Sequence, residues 1–157
     1  MNLDSRLSSV LHLLLHLMET ENAIPSEQLA TAMNSNPVVV RRTMAGLRDA
    51  GLVRSEKGHG GGWRLSCDPA KTTVLDVYQA LGSPRLFAVG NRHDAPTCLV
   101  EQAVNVALDD AFREAETLIT TQLGTLTLSA LSTDFSERIK IYAHTHKENP
   151  HVIPDQR

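Results

Sequence analysis

The two cysteines, Cys67 and Cys98, are candidates for redox or nucleophilic chemistry, because a thiolate is a strong nucleophile and metal ligand. Two thiols make no disulfide framework and indicate a reducing cytoplasm. Thr97 is the predicted N-cap of a helix that starts at Cys98, where the helix dipole lowers the pKa of a thiol, although Glu101 opposes this effect. Cys98 is therefore a sensor candidate, and an inert thiol packed in a subunit interface is the alternative.

The histidines make a weaker case for metal binding or catalysis. His12 and His16 lie four residues apart, which is zinc-ligand spacing on a helix, but no third ligand or HExxH pattern accompanies them. His93 and Cys98 offer a base and a nucleophile without an oxyanion donor or a third member. We therefore predict no metal site and no enzymatic activity.

The stretch "GLVRSEKGHGGGWRL", Gly51 to Leu65, combines glycine with positive charge. Four of the five residues from Gly58 to Gly62 are glycine, whose ordering costs conformational entropy. Residues 36–65 hold six basic and two acidic residues, a local net charge of +4 in a chain whose net charge is −3. The loop lacks a following Lys-Ser/Thr and precedes a strand, which excludes a P-loop and a dinucleotide-binding loop. Positive charge concentrated in this way is typical of nucleic-acid binding.

Three helices are predicted before this stretch. The first, Leu3 to Met18, has an apolar stripe made of Leu7, Val10, Leu11, Leu14, Leu15 and Met18. Pro25-Ser26-Glu27 predicts the N-cap of a short second helix that ends at Met33. The third begins with Asn36 as N-cap and Pro37 in the first turn, buries Val40, Met44 and Leu47, and stops at Gly51.

Two short strands, "LVRSE" and "GWRLS", are predicted on either side of the glycine loop. A helix-turn-helix followed by a basic hairpin is a winged helix, in which Gly58 to Gly62 form a wing tip that fits a DNA minor groove. Trp63 is expected to anchor the wing to the domain, with stacking on DNA as the alternative. Arg48, Arg54 and Arg64 are expected to contact phosphates or to form surface ion pairs, with Asp49 as a partner for one of them.

The second half of the chain is predicted to be helical. Thr73 to Asp76 form a capping-box-like start for a helix that ends at Leu81. A long helix from Cys98 to about Gly124 carries two apolar faces, one for its own domain and one for a partner, so we predict a dimerisation helix. One face consists of Val100, Val104, Ala107, Ala111 and Leu118, and the other of Leu108, Phe112, Ala115 and Ile119. A short closing helix covers Leu126 to Leu131, and the polar chain beyond Thr133 is expected to be flexible.

The predicted fold class is mainly α with a small β-hairpin wing, a winged helix-turn-helix domain plus a long dimerisation helix. The predicted divisions are a DNA-binding domain (1–81), a sensor-type loop (82–97), dimerisation helices (98–132) and a flexible tail (133–157). No apolar run approaches the roughly 20 residues that a membrane span needs, so no membrane partner is expected.

Three segments resemble the IscR/NsrR-type family of bacterial winged-helix regulators. They are "LRDAGLVRSEKGHGGGWRL" (Leu47 to Leu65), similar to the family's wing signature, "TVLDVYQAL" (Thr73 to Leu81) and the closing "LTLSAL". The resemblance covers residues 3–131 and implies a homodimer that binds a palindromic operator, usually as a repressor. It also implies the contact residues, which are Asn36, Val38, Val39, Arg41 and Arg42 on the recognition helix and Lys57, next to His59, on the wing.

The resemblance fails in two places. Lys57 stands where the family more often has arginine, and lysine lacks the guanidinium fork. Cluster-binding members carry three cysteines in the loop before the long helix, whereas here Cys98 is the only one there. An iron–sulfur cluster needs four ligands, so no cofactor is expected and the chain resembles the cluster-less branch.

These observations predict a cytoplasmic, homodimeric transcriptional regulator that binds double-stranded DNA through the recognition helix, the wing and Arg54. Oxidation or modification of Cys98 is its predicted switch. The alternative is a winged-helix module that docks a partner protein in place of DNA; strong salt dependence distinguishes DNA binding from it.

Overall fold

The computed structural model describes residues 5–87 and 97–145, which form six α-helices and one two-stranded antiparallel sheet. In chain order the elements are α1 (Arg6–Met18), α2 (Ser26–Ala32), α3 (Pro37–Asp49), β1 (Val53–Glu56), β2 (Gly62–Leu65), α4 (Val74–Ala80), α5 (Leu99–Thr125) and α6 (Leu128–Thr145). The predicted fold class, mainly helical with a β-hairpin wing, is confirmed. Within these residues no helix combines the length and apolarity required to cross a bilayer.

The core is built on one face of α1. Val10, Leu13, Leu14 and Leu17 are buried there, at the spacing that places side chains on one side of a helix. The predicted stripe differs from this buried face by a small rotation around the helix. Only two of its six members, Val10 and Leu14, are buried, and the other four are half-buried. The segment is leucine-rich on both sides of the true stripe, so the apolar pattern alone allowed either centre.

Helices α2 and α3 form the helix-turn-helix, and the ends of α3 are capped as predicted. Asn36 Oδ1 accepts a hydrogen bond from the Val38 backbone N–H at 2.8 Å. At the other end, Gly51 has φ +78° and the N–H of Leu52 donates to the carbonyl of Leu47, which is a Schellman motif. The predicted buried face of Val40, Met44 and Leu47 is confirmed. The N-cap of α2 is Pro25, within the predicted segment of residues 25–27, and it makes no side-chain cap.

The wing hairpin is tied to the segment before α2 through Trp63. Its backbone pairs with Ile24 by two hydrogen bonds, of 2.9 and 3.0 Å, and its buried indole N–H donates to Ser26 Oγ at 2.9 Å. Trp63 is thus the anchor predicted for the wing. A Cβ on Gly62 would lie 2.4 Å from the Ile24 carbonyl oxygen, and one on Gly61 would lie 2.4 Å from that of Glu56. These two glycines are therefore required by the protein's own backbone, before any groove of DNA is considered.

Helices α4, α5 and α6 follow the wing. Thr73 and Asp76 form the predicted capping box at the start of α4. A single antiparallel β-bridge between Thr73 and Thr127 joins the backbone between α5 and α6 to that cap. Leu128, at the start of α6, is buried in the core. The predicted end of the closing helix near Leu131 is wrong, because α6 continues to Thr145.

An i,i+4 ion pair supports the helix in its polar part. Arg138 Nε donates to Asp134 at 2.7 Å, one turn earlier. The hydroxyls of Thr133 and Ser136 donate to carbonyls four residues before them. The division of the chain at residue 132 remains a prediction, and the segment 146–157 of the predicted tail lies outside the described residues.

Two glycine substitutions are expected to change stability in opposite directions. Gly62→Ala forces β2 away from Ile24 and weakens both backbone hydrogen bonds, so it lowers the free energy of unfolding by about 2–4 kcal/mol. Gly46→Ala, in the exposed interior of α3 with nothing within 4 Å of its Cβ position, raises it by about 0.5–1 kcal/mol. Urea unfolding followed by circular dichroism measures both, and equal stability of the two variants contradicts the role of the close approach at Gly62.

Candidate nucleic-acid interface

The first turn of α3 presents an exposed surface that contains no acidic side chain. Val38 and Val39 keep 66% and 57% of their surface exposed, whereas the next residue, Val40, keeps 3%. Asn36 uses its carbonyl oxygen for the cap, so its amide NH₂ faces outward as a donor. The N–H groups at this end of a helix lack intrahelical acceptors and favour anions.

Arg41 and Arg42 extend this surface along α3 but differ in their surroundings. The Arg41 guanidinium forms an ion pair and hydrogen bond with Glu27 at the start of α2. A hydrogen bond from the backbone N–H of Glu27, and then the Arg41 guanidinium, hold the pKa of the Glu27 carboxyl below its ordinary value. Arg42 has no hydrogen bond or ion pair within residues 5–87 and 97–145, so its donors are available.

The wing tip carries Lys57 and His59 on an open turn. The Gly61 N–H donates to the Gly58 carbonyl at 3.0 Å, and Gly60 in this turn has φ +81°, which favours glycine. Lys57 and His59 are both exposed. No carboxylate of the described chain pairs with Lys57, so its charge is not neutralised within the protein.

Arg54 lies on the outer face of the hairpin, away from the wing tip. It stands opposite Arg64 in the strand register, and both guanidinium groups approach Glu56 Oε1, at 3.5 and 3.3 Å. The two arginines line a shallow groove of about 260 Å³ together with Met18 and other residues of the α1 end. The Glu56 pairing matches the surface-pair alternative for these arginines, and a phosphate contact by Arg54 remains a prediction.

The basic residues of the segment 36–65 differ in whether a carboxylate of the described chain lies close to them. Four of its six basic residues have carboxylate partners: Arg41 with Glu27, Arg48 with Asp49, and Arg54 and Arg64 with Glu56. Arg42 on α3 and Lys57 on the wing are the two without a partner in the part of the chain that the structure describes. The sequence predicts Asp49 as a partner for one of Arg48, Arg54 and Arg64, and the partner is Arg48. The pair of Arg41 with Glu27 is not predicted, because the two residues lie 14 positions apart with no pattern that links them.

The long helix α5 leaves one of its two apolar faces uncovered. Of the predicted face of Leu108, Phe112, Ala115 and Ile119, the last three are half-buried and turn towards the chain, whereas Leu108 is exposed. Phe112 stacks on Phe87 at 5.9 Å between ring centroids. The other predicted face is exposed along the whole helix, at Val100, Val104, Ala107, Ala111 and Leu118. Asn105 is the one fully buried residue of this helix.

Cys98 lies at the start of α5 and is fully exposed in the single chain. It occupies the N-cap position itself, so the prediction of Thr97 as N-cap with Cys98 in the first turn is wrong by one residue. The backbone N–H groups of Glu101 and then Val100 favour the thiolate and lower the pKa of Cys98 below its ordinary value. Most of the predicted sensor-type loop, residues 88–96 with His93, lies outside the described residues.

No group of three His, Cys, Asp or Glu side chains within residues 5–87 and 97–145 is arranged to hold a metal. His12 and His16 contact each other through their Nε2 atoms at 2.9 Å, and His16 Nδ1 lies 3.5 Å from Glu19. Partial burial, and then the neighbouring His16, lower the pKa of His12. Cys67 is half-buried against the core, just after β2. These positions provide no four-ligand set for an iron–sulfur cluster.

A family model and a known bacterial protein that match this chain are both described as transcriptional regulators. Residues 3–134 match the Rrf2 family model, described as an iron-dependent transcriptional regulator. The chain is 34% identical over 127 residues to YwnA of Bacillus subtilis (strain 168), named as an HTH-type transcriptional regulator, and the match covers 80% of this chain and 93% of YwnA.

Two solved structures share the fold. IscR from T. potens has a TM-score of 0.61 at 19% identity, over 85% of this chain and 88% of IscR. The oxidised form of Staphylococcus aureus CymR has a TM-score of 0.63 at 19% identity, over 84% of this chain and 96% of CymR. Because the identity is only 19%, the two structures support the winged-helix fold of this chain and give no information on the chemistry of its site.

Proposed function

The chain belongs to the Rrf2 family of transcriptional regulators, and from this premise we propose that it is a homodimer that represses transcription by binding a palindromic DNA operator. Its family and its relative YwnA are DNA-binding regulators and not enzymes, which agrees with the prediction from the sequence. The protein would act in the cytoplasm, where its operator is.

The observation that carries this proposal is the pair of unneutralised cations, one on each element that a winged helix applies to DNA. Arg42 on α3 is placed to reach guanine O6 and N7 in the major groove, which a guanidinium contacts bidentately. Lys57 on the wing is placed to contact the backbone at the minor groove, as a point charge without base preference. Asn36 and the N-terminal N–H groups of α3 add phosphate contacts.

Arg41 has a different role in this proposal. Its ion pair with Glu27 links α3 to α2 and restricts the rotamers of the Arg41 side chain in the DNA-free protein. An oriented donor loses less rotamer entropy on binding, so Arg41 contributes to base discrimination from a fixed position. Arg54, His59 and Val38 with Val39 complete the predicted contact set.

The uncovered face of α5 supports the homodimer. At about 1.5 Å per residue, 27 residues make a helix of roughly 40 Å, longer than this small domain needs. An apolar stripe as long as this is rarely left in water by a monomer. A second copy of the same chain offers the same stripe, and two helices related by a two-fold axis cover each other.

We place the regulatory switch at Cys98, which rests on its exposure, its lowered pKa and its position at the start of the proposed dimerisation helix. The thiolate attacks a peroxide oxygen and becomes a sulfenic acid as the O–O bond breaks and hydroxide leaves. The added polar group alters the α5 contacts on which the spacing of the two wing domains depends. An iron–sulfur cluster forms no part of this mechanism, because the cysteines do not supply its ligands.

Arg42→Ala and Lys57→Ala are expected to weaken DNA binding in different ways. Loss of Arg42 costs about 1–3 kcal/mol on the cognate operator and little on random DNA. Loss of Lys57 weakens both about equally and lowers the slope of log K against log salt by about 1. Fluorescence anisotropy against the DNA upstream of the protein's own gene, from low to high salt, measures both. Binding that does not depend on salt contradicts DNA recognition and favours a protein partner.

Val104→Glu is expected to dissociate the dimer, because it places a charge in the centre of the α5 stripe. Val106→Glu is the matched control, since Val106 is similarly exposed but lies about 200° around the helix from Val104. Sedimentation velocity should give a monomer for Val104→Glu and a dimer for Val106→Glu. A dimer for both variants places the interface elsewhere.

Oxidation is expected to release the wild-type protein from its operator and to leave Cys98→Ser bound. A gel shift before and after one equivalent of peroxide or hypochlorite tests this, with Cys67→Ser as the variant that should still respond. Release of Cys98→Ser by the same treatment would exclude Cys98 as the trigger, and an unresponsive wild type would leave a ligand as the inducing signal.

A further inference from the structure

Val38 and Val39 form an apolar pair that nothing in the described chain covers. They occupy the second and third positions of α3, after Asn36 at the N-cap and Pro37. Helix formation does not require valine there, because β-branched residues are weaker helix formers than alanine. Helical packing does not require it either, since Val40, Met44 and Leu47 supply the buried face. An exposed valine pair that the fold does not use calls for an external partner.

The surroundings of the pair indicate the chemistry of that partner. The first turn of α3 has no carboxylate, the nearby Glu27 is engaged by Arg41, and Arg42 stands one turn further along with free donors. The surface is thus apolar at its centre and cationic at its edge, which is complementary to an anionic surface that displays small apolar groups. The DNA major groove has this character, because its only apolar group is the C5-methyl of thymine between two phosphate backbones.

We propose that Val38 and Val39 read the methyl groups of thymines at adjacent base pairs in each half-site of the operator; this inference rests on the DNA-binding function proposed above. Val38 and Val39 are neighbours on the exposed first turn of α3, and their side chains diverge by about 100° around the helix axis, so together they can reach methyl groups on two neighbouring base pairs, which are about 3.4 Å apart. Arg42 lies four residues beyond Val38, about 6 Å along the helix, so its guanine contact falls next to the thymine step.

The expected effect follows from the size of a methyl group. Burial of one CH₂-sized group is worth about 0.8 kcal/mol, so removal of one thymine methyl should weaken binding about fourfold. Loss of both methyls should weaken it roughly tenfold or more, if the two contacts are independent. Replacement of the valines by alanine removes the same contact from the protein side. Alanine is the stronger helix former, so α3 stays folded in these variants.

The test uses the full chain and a duplex selected from a random-sequence library at low salt. Each thymine of the selected duplex is replaced in turn by deoxyuridine, which lacks only the methyl group, and affinity is measured by fluorescence anisotropy. We expect two adjacent positions per half-site at which the replacement costs the wild type about fourfold. The Val38→Ala, Val39→Ala double variant should lose no further affinity at these positions. Val106→Ala, an exposed valine on α5, should keep the wild-type response.

The outcomes separate this inference from the function on which it rests. If no duplex is selected and none binds at low salt, the DNA-binding function and the inference both fail. If a duplex binds tightly but every deoxyuridine replacement is neutral, the inference alone is overturned. An equal loss in the wild type and in the valine double variant also overturns it, because another residue then reads the methyl groups.

Discussion

The attachment of Trp63 to the start of α2 is the interaction on which the DNA-facing geometry depends. Two backbone hydrogen bonds join Trp63 to Ile24, and the indole N–H is satisfied by Ser26 within the core. An indole N–H buried without a partner would cost its full desolvation penalty, so Ser26 fixes the ring as well as the strand. The wing is thereby fastened to α2, and α2 in turn packs on α3. Wing and recognition helix thus share one rigid support instead of depending on a flexible hairpin.

The same attachment accounts for part of the glycine run between Gly58 and Gly62. Gly62 allows the backbones of the wing and the Ile24 segment to approach closely, and Gly61 allows the hairpin to close against the backbone of Glu56 and Gly58. Gly58 and Gly60 supply positive φ values at an open tip. The glycine run therefore combines two requirements, a tight junction on one side and a sharp turn on the other. Only the turn leaves open space around its glycines, so the wing's share of the proposed DNA surface is the tip with Lys57 and His59.

The sequence predicted well the features that depend on neighbours along the chain. The Asn36 cap, the Gly51 stop and the Thr73–Asp76 capping box each follow from residues a few positions apart, and all three are present. The predicted winged helix followed from these local signals together with the alternation of the two strands. The members of the two apolar faces of α5 could be predicted for the same reason, since a helix fixes which of its residues share a side, but not which face is outward.

The features that depend on distant segments could not be predicted in this way. The Arg41–Glu27 pair joins two helices, and no local pattern shows that Arg41 has a carboxylate partner while Arg42 has none among the described residues. The burial of Leu13 and Leu17 in place of Leu11 and Leu15 depends on where other helices lie against α1. Helix α6 continues beyond its predicted end through a polar stretch without an apolar stripe, where an i,i+4 ion pair between Asp134 and Arg138 supports it.

The two ends of α5 are held in different ways, and this matters for how a signal would reach DNA. At its C-terminal end the Val74 N–H donates to the Leu126 carbonyl and the Leu128 N–H to that of Thr72, so this end is part of the winged-helix body. At its N-terminal end Cys98 is exposed and most of the neighbouring face of the helix is uncovered. Because the C-terminal end of α5 is fixed to the winged-helix body, a small displacement of its N-terminal end changes the angle between the helix and that body. In a dimer built on α5, that angle sets the separation of the two recognition helices, and operators tolerate little change in that separation because half-sites follow the helical repeat of DNA.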